Sequence, residues 1–307
     1  MKLFIIGNGF DINHGYKTSY LNFRNYLYSN ASKYPLGSLN LSDFFEDNSD
    51  ELWSDFENNL EFIDFKQPTD FYSPNFSGDL TDKEWQREYS RGESLLDTYT
   101  EIPENFHPAL CRALEDFIIE EYGNNKTVMK KNYFDKLITN DSIYITFNYT
   151  KTLEDVYGIK SENINHIHGI AFPDISKRYD DVDIMYGDSE IIFGHANTKN
   201  TSYKQINYEF NPIEPNYGLK NLNSHLIKNF QLPSLQDFIR NKDITELEII
   251  GHDIGPVDDC YFRSLNSIIS VNCKINYWLY DKTKEIEKRK KLKMLFTTQN
   301  VSICYYP

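Results

Sequence analysis

A chain of 307 residues with 40% hydrophobic and 15% aromatic side chains can bury one large core or two smaller ones, and this composition excludes wholesale disorder. Its 46 acidic residues against 32 basic ones leave a formal net charge of -14, so nucleic acid is not an expected partner, whereas a small anionic ligand at a helix terminus is compatible. No apolar run approaches the ~20 residues that span a bilayer and no leader pattern opens the chain, which reads as cytoplasmic with no membrane contact. Cys111, Cys260, Cys273 and Cys304 have no CxxC spacing, so neither a zinc ribbon nor a disulfide framework is expected.

Lys2–Ile6 (KLFII) predicts a buried parallel strand, followed by the glycine-punctuated turn Gly7-Asn8-Gly9-Phe10-Asp11. Thr18 or Ser19 can then cap a helix whose apolar face is Tyr20, Phe23 and Leu27. Residues 40–140 read as mainly helical. Leu52, Phe56, Leu60 and Ile63 form one helical stripe. Residues 66–106, with Pro68, Pro74, Gly78 and Pro103, read as a long loop with at most a short helix around Trp85. Pro108 opens a second helix carrying Leu110, Leu114, Phe117 and Ile118, with Gly123 just beyond it, and Tyr133, Phe134, Leu137 and Ile138 fit a third.

From 141 onward the pattern changes. Strands are predicted at 142–147, 163–167, 190–193, 246–250, 274–280 and 301–305, with helices at 152–158, 234–241, 256–270 and 282–296. The basic run Lys282 to Lys293 reads as a solvated helix face. This alternation predicts a single α/β domain over 1–307: a doubly wound, mostly parallel, Rossmann-like sheet interrupted by a helical insertion at about 40–140.

The candidate chemistry sits at strand tips. Gly7-x-Gly9 after a strand can bring backbone N–H groups of Gly7, Asn8, Gly9, Phe10 and Asp11 around a phosphate, or simply turn tightly; no GxxxxGK[ST] follows anywhere. Thr146-Phe147-Asn148 ends a strand, and Asn148 can serve a sugar hydroxyl or a water, or merely form the turn. His166 and His168, at i and i+2, share a strand face, so the two imidazoles can converge on one ligand; His168, before Gly169, is the better placed, and no third metal ligand follows at convincing spacing. Gly251-His252-Asp253 closes another strand, after which Asp258 and Asp259 suit a helix dipole. His195 reads as structural, Trp53 and Phe56 as core, and Glu57 as either salt-bridged or turned into the cleft.

The segments IIGNGFDINHGYKTSYLNF, WSDFENNL, ITFNYTKTLE, NHIHG, IIFGHAN and GHDIGPVDDCYF, in this order along the chain, resemble the AbiH abortive-infection family of anti-phage proteins. A more distant similarity links Gly7, Gly9, Gly15, Thr146-Phe147-Asn148, His168-Gly169 and Gly251-His252-Asp253 to motifs of the sirtuin superfamily. That resemblance implies a sirtuin-like fold with NAD as substrate and Asn148 and His168 as catalytic residues. It implies NAD contacts from Gly7, Asn8, Gly9, Phe10, Asp11, Thr146, Gly251, His252 and Asp253. Asp11 stands where sirtuins have serine, Lys17 where they have proline and Thr150 where they have aspartate, and their four zinc cysteines are absent. The implied activity is therefore NAD hydrolysis without zinc rather than deacetylation, with a phage-derived trigger and a homo-oligomer both allowed. The alternatives are a sensor that binds a nucleotide or phage component without catalysis, and a metal-dependent hydrolase or nuclease built on His166, His168, His195 and Asp253.

Overall fold

The computed structural model describes residues 1–37, 39–45, 49–62, 81–124, 128–171, 191–196 and 226–306. Its strands are β1 (Lys2–Ile6), a small antiparallel pair β2 (Pro35–Leu36) and β3 (Leu39–Asn40), then β4 (Ile143–Thr146), β5 (Ile164–His166), β6 (Glu246–Ile250), β7 (Lys274–Leu279) and β8 (Asn300–Tyr305). The main sheet has six strands in the order β5-β4-β1-β6-β7-β8, and every pairing in it is parallel. Strands are thus added outward on one side of β1 (β4, β5) and then on the other (β6, β7, β8).

The register explains why Leu3-Phe4-Ile5-Ile6 is uninterruptedly apolar. Leu3 pairs with Ile143 and Leu247, and Ile6 with Thr146 and Ile250, so this segment has a strand on each side. Alternate residues also face two different cores. Leu3 and Ile5 pack with Ile145, Leu247 and Ile249 under helices α8 (Leu232–Ile239), α9 (Asp259–Ile268) and α10 (Glu285–Leu295). Phe4 and Ile6 pack with Tyr144 and Ile250 under α1 (Asn8–Asn13), α6 (Asn132–Asp135) and α7 (Thr152–Tyr157). Helices cover both faces, which is the expected α/β layering.

The remaining helices are α2 (Tyr20–Ser29), α3 (Asp50–Ser54), α4 (Phe56–Asn59) and α5 (Asp82–Asn124). Ser19 is the cap of α2, its Oγ accepting from the Asn22 N–H. The stripe expected as one helix is two. Ser54 Oγ and Asn59 Nδ2 donate to the Glu51 and Leu52 carbonyls, which a continuous helix would use itself, and Asp55 turns the chain at φ -130. Ile63 and residues 66–80 of the expected loop lie outside the described residues, and the rest of that loop, expected to run to 106 with at most a short helix around Trp85, is instead part of the long helix α5.

Pro108 does not open a helix: α5 runs straight through Pro103 and Pro108. An interior proline costs about 3 kcal/mol. Burial of Ile102, Phe106, Leu110, Leu114 and Phe117, at roughly 1.5–3 kcal/mol for each large apolar side chain, outweighs that cost. These residues form a separate aromatic core with Phe23, Phe44, Phe45, Trp53 and Phe56, in which Trp53 stacks on Phe56 at 4.2 Å.

No strand forms at 191–193. These residues make no ladder, and the segment contributes one isolated parallel bridge, His195 with Ile227. Gly194 at φ +140 lies so close to the Leu226 carbonyl that a Cβ there would be 2.3 Å away, so only glycine fits where this segment meets its bridge. Glu190 and Asn197 lie outside the described residues. No described helix is long and apolar enough to cross a membrane.

Candidate functional site

The tips after β1 and β6 are built against each other. Gly7 N–H donates to Ile250 O at 3.0 Å, Gly9 N–H to Gly251 O at 2.8 Å and Phe10 N–H to Gly7 O at 2.9 Å. A Cβ at Gly7 would sit 2.6 Å from His252 Cα, and one on Gly251, which is at φ +69, would sit 2.2 Å from Phe10 N. The glycines therefore serve loop-to-loop contact, and the three bonded N–H groups are not open to a phosphate. Of Gly7 to Phe10, Asn8 keeps an N–H without a bond to any described residue, and its side chain is tied to Thr18 by two hydrogen bonds. Phe10 is buried among His14, Phe134 and Tyr157, away from the cleft.

Asp11 and Thr150, two departures from the sirtuin pattern, are partners. Thr150 Oγ1 donates to Asp11 Oδ2 at 2.6 Å and Thr152 Oγ1 to Oδ1 at 2.8 Å. Burial pushes the Asp11 carboxyl up to about 6, although both hydroxyls and Asn148 favour its charged form. Thr146 points its hydroxyl at the Asn148 N–H, 3.1 Å away, and so shapes the tip without lining the cleft.

Asn148 is buried, and its Oδ1 has no hydrogen-bond partner among the described residues. A buried acceptor left unpaired costs about 1–3 kcal/mol, so this atom is set for a donor brought from outside.

Beside it a buried charge cluster is centred on Asp258. Lys228 Nζ lies 3.2 Å from Asp258 Oδ1 and 3.1 Å from Glu57 Oε1. His168 Nε2 is 3.3 Å from Oδ1 and His252 Nε2 is 3.3 Å from Oδ2. At 3.3 Å the His168 contact is within ion-pair distance but is not aligned as a hydrogen bond, so Nε2 has no hydrogen-bond partner among the described residues. Burial alone would raise the Asp258 carboxyl, but Lys228 and His168 hold it well below the usual carboxylate range. Lys228 is likewise kept charged by Asp258 and Glu57 against the cost of burial. Burial, reinforced by Lys228, pushes His168 down and keeps its ring neutral.

The loop carrying His252 is strained. Ile254 adopts φ +55, rare for a β-branched residue, and from there its N–H donates to His252 Nδ1 at 2.9 Å.

Glu57, Asn148, His168, His252 and Asp258 line one cavity of about 870 Å³, within the ~300–1,000 Å³ typical of small-molecule sites, with Lys228 behind its wall. Of the predicted residues, Gly7, Asn8, Gly9, Asp11, Asn148, His168, Gly251, His252 and Asp253 meet there. His166 does not join them. β5 ends at His166, so the shared-face rule lapses before His168, and the His166 ring pairs with Glu154 at 2.9 Å. His195 is buried in the bridge to Ile227. Among the described residues no three His, Cys, Asp or Glu side chains are grouped to hold a metal ion.

Asp258 was expected to serve a helix dipole, and the structure corrects this: its carboxylate is the hub of the cluster. Glu57 both pairs with Lys228 and lines the cavity. Lys228 carries no sequence signal. It is a lone lysine in no motif, although burying it demands the two carboxylates it has. Lys288, expected on a solvated face, is buried and bonds the Asp253 carbonyl and carboxylate.

Fold and cavity together define an α/β protein with a carboxylate–imidazole site at the carboxyl edge of a parallel sheet, where such sheets hold their ligands. The family model described as bacteriophage abortive infection AbiH matches residues 3–279, and the chain belongs to this family. Membership gives it a role in abortive infection by bacteriophage. No curated protein and no solved structure matches the chain.

Proposed function

We propose that the cavity binds NAD and hydrolyses its nicotinamide–ribose bond, so that abortive infection proceeds by loss of the cell's NAD. The observation that carries this reading is the unpaired, buried Asn148 Oδ1 in the same cavity as the neutral His168. The outward addition of strands on either side of β1 is also the arrangement of dinucleotide-binding sheets, with the ligand crossing the point where the direction changes.

Charge favours this chemistry. With both carboxylates ionised, Glu57 and Asp258 exceed Lys228 by one negative charge in a buried cluster. Cleavage of the C1′–N bond sends the electron pair to the nicotinamide ring and leaves oxocarbenium character on the ribose, which that excess charge stabilises. A water held by Asn148 Oδ1 adds to C1′ and passes a proton to His168. The products are nicotinamide, ADP-ribose and one proton. The Asn8 N–H and the Lys284 side chain, which also lines the cavity, are donors available to the phosphates.

The test is purified protein with NAD, with and without a phage lysate, followed by chromatography. Nicotinamide and ADP-ribose should appear in equal amounts and should be lost in Asn148→Ala and His168→Ala. No nicotinamide release under any trigger, together with no NAD binding, sinks the proposal. A sensor is the second reading, favoured by Lys228 tying the cavity to α4 of the insertion through Glu57. Tight NAD binding with no release, and phage protection unchanged in His168→Ala, would select it.

A further inference from the structure

We infer that Asp258, held in place by Lys228 and His252, is a positioning residue that keeps the proton of His168 on Nε2 and so leaves the Nδ1 lone pair to take a proton from the reacting water. The role of that lone pair rests on the NAD reading; the position of the proton does not.

An ionised carboxylate only accepts. Three nitrogens converge on Asp258: Lys228 Nζ at 3.2 Å, His252 Nε2 at 3.3 Å and His168 Nε2 at 3.3 Å. The His252 proton is fixed independently. Its Nδ1 accepts the Ile254 N–H, so a neutral ring carries its hydrogen on Nε2, toward Asp258. No described group other than Asp258 reaches His168 Nε2. A lone pair there would face a carboxylate inside a buried site, an electrostatic repulsion that only a proton on Nε2 removes.

The surroundings hold the ring as well as its proton. Phe147 meets His168 edge-on at 4.9 Å and meets His252 at 4.4 Å, so one ring separates the two imidazoles. Tyr149 and Tyr261 close the other sides at 6.2 and 6.0 Å. The charged groups facing His168 are Asp258 before α9, Lys228 from the segment before α8, and Glu57 from α4. In a Ser-His-Asp triad the aspartate stabilises the imidazolium without an adjacent cation. Here Lys228 opposes it, so the aspartate sets the tautomer while the ring stays neutral and able to take a proton.

The test is long-range ¹H–¹⁵N NMR of protein with ¹⁵N-labelled histidine and no NAD present, with His168 assigned by loss of its signals in His168→Ala. Wild-type protein should show His168 protonated on Nε2 at neutral pH. Lys228→Met should raise its titration midpoint and Asp258→Asn should lower it, opposite shifts that a purely structural role would not give. Turnover by Asp258→Asn should fall about 100-fold or more in kcat with KM for NAD within about threefold. A wild-type His168 protonated on Nδ1 overturns the inference, and this measurement needs no variant to fold. Nε2 protonation in a protein that never releases nicotinamide would retire the NAD reading alone; nicotinamide release with Nδ1 protonation would retire the positioning alone.

Discussion

Asp11→Asn isolates the cost of burying one carboxylate beneath two threonine hydroxyls. The Asp11 carboxyl moves from an ordinary 3.8 to about 6, chiefly through burial. A carboxyl raised in the folded state favours folding while protonated, so its contribution is fully present below about pH 4 and is lost as pH rises through about 6. At about 1.4 kcal/mol per pH unit, that displacement amounts to about 3 kcal/mol. Asparagine does not titrate and keeps the shape. The stability difference, wild type minus Asp11→Asn, should therefore fall by about 3 kcal/mol between pH 3 and pH 8. Urea unfolding of both proteins at intervals across this range measures it, and the other carboxylates cancel in the subtraction. A difference that is flat, or that grows with pH, would refute the account, because it would mean that the Thr150 and Thr152 hydrogen bonds outweigh desolvation.

Gly251→Ala combines a left-handed conformation, about 1–2 kcal/mol for an L residue, with a Cβ 2.2 Å from Phe10 N; a loss of more than about 3 kcal/mol is expected in guanidinium unfolding, and a loss under about 1 would contradict the packed tips. Lys228→Ala leaves Asp258 and Glu57 without their cation and should cost about 3–5 kcal/mol at neutral pH, with part of the loss recovered in acid as the carboxylates protonate. Trp53→Ala removes the ring stacked on Phe56 from a fully buried site, and calorimetry should register about 3–5 kcal/mol of destabilisation.

The sheet was legible because β1 and β4 are short, mostly apolar runs, β6 and β7 alternate polar with apolar residues before an apolar end, and a glycine or polar residue follows closely on each; period and termination are local properties. The insertion was less so. Pro103 and Pro108 are local signals for a break, and they are overridden by burial of Phe106, Leu110 and Phe117 in a core shared with distant segments. The reverse happens at Asp55, where an unbroken apolar stripe conceals a turn made by Ser54 and Asn59. At the site, Asn148 and His168 were found because a polar residue at a strand's carboxyl end is a position as much as a residue type. Lys228 and the role of Asp258 could not be found that way, since their meaning lies in one another and in Glu57, with 171 residues separating Glu57 from Lys228. The glycines were located correctly, but the space they provide is filled by backbone, which spacing cannot distinguish from space left for a phosphate.

The central strand is the first one made, and its two neighbours arrive at very different times. β4 follows after the insertion, whereas β6 ends at Ile250, and the Met1 amine rests on the Asp243 carbonyl. A ribosome must therefore deliver the chain as far as Ile250 before β1 has both its neighbours, and His252 and Asp258 follow directly after it. A chain stopped before His252 holds Asn148 and His168 without His252 and Asp258, which line the same cavity. The buried charge cluster at the sheet's carboxyl edge therefore forms only once Asp258 has joined Glu57, His168 and Lys228.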